Sequence, residues 1–308
     1  MSVVYVACAA DRRYAVHSAA MLHSVLAHAG GAEVRVAYLH GPRFAARAAR
    51  ALERMVVAEG GQIAFFEIPA ERVVGLPETD AISAAMWYRI FLPELLPEAS
   101  RVLYLDIDTI ARDDLTELWQ TDLSKHYVGA VTNIWEPWNE GYPAGALGLS
   151  GPEAYFNSGV LLMNLDLMRR DDCLQRLHEH ALEHSAELVW PDQDTLNVVL
   201  GERRLPLHPR WNCMNSVLQF PRSVEIFGEE AVATARRRPG IRHFEGPSVN
   251  KPWHILAESE GADAYFEHRR RTPWPRTWPA GVSPRTLVIR IKRELRRREP
   301  RGARSGRE

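Results

Sequence analysis

Cysteine is scarce in this sequence. Among 308 residues there are three, Cys8, Cys173 and Cys213, and no two of them form a C-x-x-C pair. A disulfide-stapled secreted fold needs a dense, even set of cysteines, and a structural zinc site needs paired ones. The composition therefore argues against both classes. It favours a reducing compartment, and we expect a cytoplasmic protein.

An excess of charge and a long apolar run are also missing. The 38 Lys and Arg residues nearly balance 39 Asp and Glu, for a net charge of −1. The chain as a whole lacks the basic excess of nucleic-acid-binding proteins, so we expect no nucleic-acid partner. No apolar run approaches the roughly 20 residues of a transmembrane helix. Residues 1–8, MSVVYVAC, lack the basic start of a signal peptide and are expected to form a strand instead.

What the sequence does contain is an alternation of strand and helix patterns. Strands are predicted at Val3–Cys8, Val34–Leu39, Gln62–Ile68, 102–106, Val128–Thr132 and Gly159–Asn164. Helices are predicted at Tyr14–His28, Phe44–Gly60, Ser83–Leu92 (stopped by Pro93), Asp171–Ala186 and Pro191–Leu200. The loop Ile134–Pro152 and the region after residue 201 look irregular, and there is no internal repeat. This rhythm predicts an α/β fold with a parallel, doubly wound sheet.

The most informative motif is VLYLDID at residues 102–108. A continuous apolar run predicts a strand buried on both faces. Alternation along that strand would put Asp106 and Asp108 on one side and Ile107 on the other. Open α/β sheets bind ligands at the carboxyl ends of their strands, and two neighbouring carboxylates there favour a cation between them. The alternative is a pair of turn acids that cap the next element.

Several motifs in one order resemble glycosyltransferase family 8, the retaining galactosyltransferase and glycogenin type, with a layout closest to bacterial lipopolysaccharide α-galactosyltransferases. They are AADRRY at 9–14, YR at 88–89, LYLDID at 103–108, YFNSGV at 155–160, PDQD at 191–194, HFEGP at 243–247 and KPWH at 251–254. The resemblance covers residues 3–255. It implies a GT-A-type nucleotide-diphospho-sugar transferase fold, Rossmann-like, with a mostly parallel sheet flanked by helices. We expect this catalytic domain over residues 1–275 and a basic extension over 276–308.

The resemblance implies a divalent cation bound by Asp106, Asp108 and His243. Such a cation stabilises the charge on a pyrophosphate leaving group. Carboxylate oxygens with an imidazole nitrogen suit Mn²⁺ better than Mg²⁺, which stays an alternative. Gly246 would let the backbone approach the phosphates and Lys251 would place a positive charge there. The spacing between Gly246 and Lys251 is about two residues longer than the family motif leads one to expect.

By the same resemblance, the first βα loop binds the nucleotide through Ala9, Asp11 and Tyr14. Asp11 would bond the uracil and Tyr14 would stack on it, while Ile107 would also contact the donor. On the sequence alone, Asp11 serves equally well as the N-cap of the following helix. Arg13 stands where relatives often carry Asn.

The sugar-binding residues are predicted from their chemistry and from the resemblance together. Arg89 is an isolated cation in an apolar helix, and a buried arginine needs an anionic or multi-acceptor partner. Asn133 and Asn157 offer donor and acceptor pairs suited to hydroxyls. The resemblance places Asp192 on the donor hexose and Gln193 beside the anomeric carbon, so Arg89, Asp192 and Gln193 are the predicted catalytic residues. Acids in a first helical turn can also be mere complements of the helix dipole.

These residues together predict the function. We expect a retaining, divalent-metal-dependent transferase that moves galactose or glucose from a UDP-sugar to a carbohydrate or lipid-linked glycan. A double displacement needs a carboxylate nucleophile. Because the amide of Gln193 is a poor one, same-face attack is favoured.

Other classes stay open on the sequence alone. A sugar nucleotidyltransferase shares the fold type, although it normally carries a Gly-rich basic loop where AADRR stands. A non-catalytic sugar-nucleotide-binding protein would need a hidden defect in the site. Residues 106–110 also resemble the nucleophile motif of haloacid-dehalogenase phosphatases, which lies on their first strand. His180-Ala-Leu-Glu183-His184 matches the inverted zinc-protease pattern H-x-x-E-H.

Positive charge is concentrated at the end of the chain. Residues 285–308 hold ten Arg and Lys against three Glu. Leu287, Ile291 and Leu295 recur every fourth residue among the arginines, and two tryptophans precede them. This pattern predicts a basic amphipathic helix that touches the surface of an anionic membrane. A disordered, solvated tail is the alternative.

Overall fold

The computed structural model describes residues 3–11, 14–78, 84–135, 145 and 147–298, with side chains as far as residue 295. Arg13, Ser83, most of the loop predicted at 134–152 and the last ten residues of the chain lie outside the described residues.

The strands form one large sheet and one small one. They are β1 (Val3–Ala9), β2 (Glu33–His40), β3 (Gln62–Glu67), β4 (Arg101–Leu105), β5 (Thr109–Ala111), β6 (Val128–Ala130), β7 (Val160–Asn164), β8 (Arg204–Pro206) and β9 (Ile241–His243). The large sheet has seven strands in the order β3-β2-β1-β4-β7-β6-β8, and β5 pairs with β9 in the small one. The run that precedes Asp106 therefore forms a central strand, as predicted.

The prediction of a mostly parallel sheet is confirmed. β1 runs parallel to β2 and β4, β2 to β3, and β6 to β8. β7 is the exception, because it runs antiparallel to both β4 and β6. The direction of this strand was not predicted from the sequence. A parallel neighbour of β4 would begin at the opposite edge of the sheet, whereas Val160 of β7 lies opposite Leu105, where β4 ends.

Helices cover both faces of the large sheet. They are α1 (Ala15–Ala27), α2 (Ala46–Ala58), α3 (Leu92–Leu95), α4 (Thr116–Trp119), α5 (Leu165–Arg170), α6 (Cys173–Glu183), α7 (Pro191–Leu200), α8 (Asn215–Gln219), α9 (Arg222–Phe227), α10 (Glu229–Arg237), α11 (Ala262–Arg270) and α12 (Pro284–Arg298). Side chains alternate along β4: Leu103 packs in a core with α1, α2 and α8, and Tyr104 packs in a second core with α5, α6 and α7. Burial on both faces explains the continuous apolar run.

One predicted helix has a different geometry. The stretch expected at Ser83–Leu92 is a 3₁₀ helix over Ala84–Phe91 that leads into α3, so Pro93 does not stop it. Pro93 lies in the first turn of α3, where backbone N–H groups have no intrahelical acceptor and a missing one costs little. The 3₁₀ helix holds Arg89 in the protein interior.

The region after residue 201 is more regular than predicted. It holds β8, β9 and the helices α8 to α12. The helices α8 to α10 have five, six and nine residues, respectively. Segments this short do not show the apolar periodicity that identifies a helix.

The basic segment predicted to be helical is a helix as far as Arg298. Its exposed apolar side chains are Leu287, Val288, Ile291 and Leu295. On another side, Arg290 and Arg293 donate hydrogen bonds to the carbonyl oxygens of Ile255 and Leu256, at 3.4 and 3.1 Å. None of the helices in the described part of the chain is long and apolar enough to cross a membrane.

Candidate active site

The two acids of the DID motif lie in a turn that follows β4. The backbone N–H and the hydroxyl of Thr109 both donate to the carbonyl oxygen of Asp106, at 3.1 and 2.7 Å. The expected alternation along a strand is therefore wrong here, since the strand ends at Leu105. The turn nevertheless brings Asp106 and Asp108 together. Asp106 N–H donates to the carbonyl oxygen of Gly159 at 2.8 Å and so continues the pairing with β7.

Asp106, Asp108 and His243 come together as predicted. One ligand atom of each lies within 4.8 Å of the others, and among the described residues no other group of three His, Cys, Asp or Glu does so. His243 reaches the acids because β9 pairs with β5, which places it opposite Thr109. Its Nε2 lies 3.3 Å from Asp108 Oδ1. Two carboxylates and an imidazole nitrogen form a donor set that can hold a divalent cation.

Gly159 provides the space in which these ligands meet. A Cβ at this position would lie 2.3 Å from His243 Cε1 and 2.8 Å from Asp106 Oδ2. Both contacts are far too short, so only glycine lets the two side chains approach the backbone this closely. The sequence pattern had given Gly159 no role beyond starting a strand.

Lys251 reaches the acid pair. It donates to Asp108 Oδ2 and, at 3.0 Å, to the carbonyl oxygen of Phe244. Burial raises the pKa of Asp108, but Lys251 and His243 outweigh burial and hold that pKa well below its ordinary value. Asp108 is therefore a carboxylate at neutral pH.

A helical turn accommodates the longer spacing between Gly246 and Lys251. Ser248–Asn250 forms one turn of 3₁₀ helix, which shortens the path along the chain. Gly246 has a φ of +93°, and a Cβ there would lie 2.8 Å from the amide nitrogen of Asn250. Gly246 is thus needed for its backbone conformation, and it lies on the short loop between His243 and Lys251.

Arg89 is fully buried between two acids. Its Nη2 lies 3.2 Å from Asp106 Oδ1 and 3.5 Å from Asp192 Oδ2, and its guanidinium stacks 4.3 Å from the centre of the Tyr104 ring. Burial lowers the pKa of Arg89, but Tyr104 and the two acids outweigh it, so the group stays a cation. The prediction that a buried arginine finds anionic partners is confirmed.

One guanidinium does not fully compensate Asp192. Burial raises the pKa of Asp192, and the nearby charge of Asp106 raises it further. The charge of Arg89 lowers this pKa by a smaller amount, so the pKa of Asp192 is raised to about 6. Asp192 Oδ2 is buried and accepts no hydrogen bond within the described structure. This oxygen can therefore accept one from a bound hydroxyl.

The predicted amides lie beside Asp192. Gln193 Oε1 accepts from the backbone N–H of Ser158 at 2.9 Å and from Asn157 Nδ2 at 3.2 Å. Asn157 Nδ2 also donates to Asn133 Oδ1 at 3.2 Å. Gln193 Nε2 donates to the hydroxyl of Tyr155 at 3.0 Å. The structure therefore brings Asn133, Asn157 and Gln193 into one hydrogen-bonded group.

The first βα loop opens onto a small cavity of about 270 Å³. Its lining residues are Asp11, Gly41, Pro42, Phe44, Glu78, Ala84, Ala85 and Tyr88. Tyr14 is 40% exposed, with its ring centre 6.5 Å from that of Trp253, and Ala9 ends β1. The N-cap of α1 is Tyr14, not Asp11. Ile107 packs partly buried against the first core, so its side chain does not face this cavity.

Two residues of the site were given no role of their own from the sequence, although Tyr155 begins the YFNSGV motif. Asn212 ends a 3₁₀ helix in the stretch expected to be irregular, is fully buried and contacts both His243 and Asn157. Tyr155 lies between Gln193 and Asp194, and its hydroxyl donates to Asp194 Oδ1 at 2.5 Å. The sequence does not show what either one does, because each acts through contacts distant in the chain.

The H-x-x-E-H pattern does not form a site in the described structure. His180 and His184 share a face of α6, with ring centres 4.5 Å apart, but they belong to no group of three potential ligands. The phosphatase interpretation also fails on position, because Asp106 follows the fourth strand of the chain.

Comparisons with known proteins agree with this geometry. Residues 5–257 match the profile of glycosyl transferase family 8. General stress protein A of Bacillus subtilis (strain 168) is 27% identical over 277 residues, which are 88% of this chain and 95% of that protein. Lipopolysaccharide 1,2-glucosyltransferase of Escherichia coli (strain K12) is 26% identical over 217 residues, which are 69% of this chain and 62% of that enzyme.

A solved structure extends the likeness to the fold. The galactosyltransferase LgtC, in complex with donor and acceptor sugar analogs, aligns with a TM-score of 0.76 and 28% identity over 93% of this chain and 100% of that one. This match confirms the GT-A-type fold. With the family profile spanning most of its length, the chain belongs to glycosyltransferase family 8 and is a glycosyltransferase.

Proposed function

We propose that the protein is a retaining, Mn²⁺-dependent transferase of a hexose, galactose or glucose, from a UDP-sugar to a carbohydrate or lipid-linked glycan. The observation that carries this proposal is the group Asp106, Asp108 and His243 at the edge of the sheet where Arg89 and Asp192 also lie. Membership of family 8 sets aside a sugar nucleotidyltransferase, a phosphatase and a zinc protease.

The donor set fits a divalent cation. His243 Nδ1 lies 2.9 Å from Asn212 Oδ1, an acceptor, so Nδ1 carries a proton and Nε2 has a free lone pair in the neutral ring. That lone pair faces Asp108 Oδ1 at 3.3 Å, an arrangement that a cation between them would stabilise. When bound, the cation would neutralise charge on the pyrophosphate leaving group. The mixed oxygen and nitrogen set favours Mn²⁺ over Mg²⁺.

The nucleotide and phosphates would lie between the first βα loop and Lys251. We propose that Asp11 and Tyr14 bind the base, with the backbone at Ala9 and Ile107 lining the donor site. Gly246 and Lys251 follow His243 on a short loop, so the Lys251 ammonium would meet phosphate oxygens beside the metal ligands.

The sugar would lie against Arg89, Asp192 and the amides. Asp192 Oδ2 accepts no hydrogen bond within the described structure, and a sugar hydroxyl would supply one. Asn133 and Asn157 would bind further hydroxyls as donors and acceptors. Gln193, in the first turn of α7, would lie beside the anomeric carbon.

Same-face attack by the acceptor is the mechanism that these contacts support. Gln193 Oε1 already accepts three hydrogen bonds, from Asn157 Nδ2 and from the backbone N–H and the hydroxyl of Ser158, so its lone pairs are occupied. Asp194 accepts from Tyr155 and from the backbone N–H groups of Val189 and Trp190. A carboxylate so fully hydrogen-bonded is a weak nucleophile, which argues against a double displacement through it.

The names of two relatives suggest the acceptor class. The Escherichia coli protein is named a lipopolysaccharide 1,2-glucosyltransferase, and LgtC is a galactosyltransferase. We propose a cell-surface glycan or glycolipid of this kind as the acceptor.

The test is release of UDP from a panel of UDP-sugars, with Mn²⁺ and with a chelator, without added acceptor. We expect slow, Mn²⁺-dependent hydrolysis of one UDP-hexose and none by Asp108→Ala. A matched control is Asp114→Ala, which removes an exposed turn acid outside the site. Metal-independent hydrolysis would contradict the proposal, and so would failure of every UDP-sugar to bind. Binding without turnover even with glycan acceptors would indicate a non-catalytic binding protein.

We also propose that α12 holds the enzyme at the inner face of an anionic membrane. Its exposed leucines and isoleucine lie among basic residues, and Trp278, 90% exposed, precedes it. Basic amphipathic helices bind anionic lipid surfaces through both features. Sedimentation with phosphatidylglycerol vesicles tests this. We expect Leu287→Ser/Ile291→Ser to abolish binding and Val57→Ser, an exposed apolar residue of α2, to leave it intact; equal binding by both variants would refute it.

A further inference from the structure

A continuous chain of buried and partly buried side-chain hydrogen bonds runs from His243 to Asp194. His243 Nδ1 contacts Asn212 Oδ1 at 2.9 Å, and Asn212 Nδ2 donates to Asn157 Oδ1 at 2.8 Å. Asn157 Nδ2 donates in turn to Gln193 Oε1 at 3.2 Å. Gln193 continues the chain through Tyr155 to Asp194. It therefore links the predicted metal ligand to the residue predicted beside the anomeric carbon.

The direction of this chain is set by two backbone groups. The backbone N–H of Gly159 donates to Asn157 Oδ1 at 3.0 Å, and that of Ser158 donates to Gln193 Oε1 at 2.9 Å. A backbone N–H can only donate, so both contacted amide atoms are oxygens. The amide orientations of Asn157 and Gln193 are fixed without reference to either end of the chain.

Asn212 transmits this direction to the imidazole. Because Asn157 Oδ1 can only accept, Asn212 must turn its NH₂ group towards Asn157 and its oxygen towards His243. An amide oxygen facing Nδ1 requires the proton of the neutral ring to be on Nδ1. Nε2 is then left with the lone pair that faces Asp108. Asn212 has no exposed surface, so bulk water does not compete for these two contacts.

We infer that Asn212 is a positioning residue that keeps the proton of His243 on Nδ1 and couples this metal ligand to the sugar-binding amides Asn157 and Gln193. The inference rests on the proposed function. Asn212 then has two separable roles: its oxygen accepts a hydrogen bond from His243 Nδ1, and its NH₂ group donates one to Asn157 Oδ1.

Two substitutions separate these roles. Asn212→Asp keeps an oxygen for His243 Nδ1–H but turns a carboxylate oxygen towards Asn157 Oδ1, 2.8 Å away, where neither atom has a proton to give. Asn212→Ala removes both contacts. Asn164→Ala is the control for loss of a partly buried amide: Asn164 caps α5 and donates to the carbonyl oxygen of Leu123, away from the site.

The measurements are the Mn²⁺ dissociation constant, from the electron paramagnetic resonance signal of free Mn²⁺, and kcat and KM for hydrolysis of the UDP-hexose. For Asn212→Ala we expect Mn²⁺ binding weakened about 10- to 100-fold, the usual effect of losing such a partner. For Asn212→Asp we expect Mn²⁺ binding within about threefold of wild type but kcat lowered at least about 10-fold. Asn164→Ala should change none of these three constants.

A spectroscopic readout keeps the inference independent of activity. In metal-free protein, ¹⁵N spectra of the imidazoles, with His243 identified by loss of its signals in His243→Gln, should show a protonated Nδ1 in the wild type and in Asn212→Asp, and a mixture of tautomers in Asn212→Ala. A protonated Nε2 in the neutral wild-type ring would overturn the inference, as would wild-type Mn²⁺ affinity in Asn212→Ala or wild-type kcat in Asn212→Asp. If the wild type shows the Nδ1 proton but binds no Mn²⁺, the proposed function fails and the coupling to a metal ligand fails with it.

Discussion

The ammonium of Lys251 donates to the carboxylate of Asp108, on the side of that carboxylate away from His243. Asp108 Oδ2 contacts Lys251 while Oδ1 lies 3.3 Å from His243 Nε2. A divalent cation bound at Asp108 would therefore have to share this carboxylate with a positive charge already present. Lys251 is also expected to bind the phosphates of the donor. It should therefore weaken the binding of the metal to the free enzyme and strengthen the binding of the donor.

The first prediction concerns Lys251→Ala. We expect the free enzyme to bind Mn²⁺ as tightly as wild type or more tightly, because a competing cation has been removed. We expect the dissociation constant for the UDP-sugar in the presence of Mn²⁺ to rise about 10- to 100-fold, the value of a charge-assisted hydrogen bond to phosphate. Titration calorimetry of each ligand checks both, with the exposed Lys125→Ala as control. Parallel weakening of both ligands would show that Lys251 only supports the fold.

A second prediction concerns Gly159→Ala. The new methyl group would overlap His243 Cε1 and Asp106 Oδ2, so the ligand group must open. We expect Mn²⁺ binding and transferase activity to fall at least about 100-fold, because a bound cation stabilises the transition state by several kcal/mol. Gly201→Ala is the matched control, because a Cβ there would meet nothing within 4 Å. Wild-type Mn²⁺ binding by Gly159→Ala would contradict the close approach described above.

A third prediction follows from the pKa of Asp192, which burial raises to about 6 from an ordinary value of 3.8. Above pH 6 the folded protein holds a buried carboxylate at a cost. As the pH falls from 6 to 4, Asp192 takes up a proton in the folded state before it does so in the unfolded state. The contribution of Asp192 to the free energy of unfolding therefore becomes more favourable. Asp192→Asn should therefore raise the free energy of unfolding at pH 8 by up to about 3 kcal/mol. At pH 4 it should have little effect.

Urea unfolding at both pH values, with a chelator present, measures this difference. Arg89 keeps Asp106 as its partner in the variant, so no isolated buried cation is created. Activity should fall at both pH values, since Asp192 is predicted to bind the sugar. An equal change in unfolding free energy at pH 8 and pH 4 would mean that Asp192 is not protonated in this range.

A fourth prediction tests the far end of the amide chain. Tyr155→Phe removes the acceptor of Gln193 Nε2 and one donor to Asp194 while it keeps the ring in place. We expect kcat to fall about 10-fold, which corresponds to a lost hydrogen bond of about 1.4 kcal/mol, with Mn²⁺ affinity unchanged. Steady-state kinetics and Mn²⁺ titration decide it. A loss of Mn²⁺ affinity as large as the loss of kcat would indicate a general collapse of the site.

The parts of the site that were predictable are those carried by short motifs. The apolar run before Asp106 identifies a doubly buried strand, and the isolated charge of Arg89 in an apolar helix requires acidic partners, so both follow from local pattern and burial. The roles of Asn212 and Tyr155 could not be found in this way, although Tyr155 lies in the YFNSGV motif. Their roles depend on which atoms face them after folding, and those atoms belong to residues 55 and 38 positions away.

The fold shows the same division. The alternation of strands and helices is periodic and local, so β1 to β4 and α1, α2 and α7 lie close to their predicted positions. The direction of β7 is not encoded in its own apolar run, because parallel and antiparallel neighbours bury the same residues. The short helices after residue 206 are stabilised by packing rather than by a repeating apolar face.

The antiparallel pairing of β4 with β7 fixes the relative positions of two motifs that lie some fifty residues apart in the chain. Leu105 lies opposite Val160, so the point where one strand leaves the sheet is the point where the other enters it. A deletion or insertion of one residue in either strand would shift this register and turn alternate side chains to the opposite face. Asp106 and Gly159 would then no longer share an edge. The length of these two strands is therefore as strict a requirement for this enzyme as the identity of its acids.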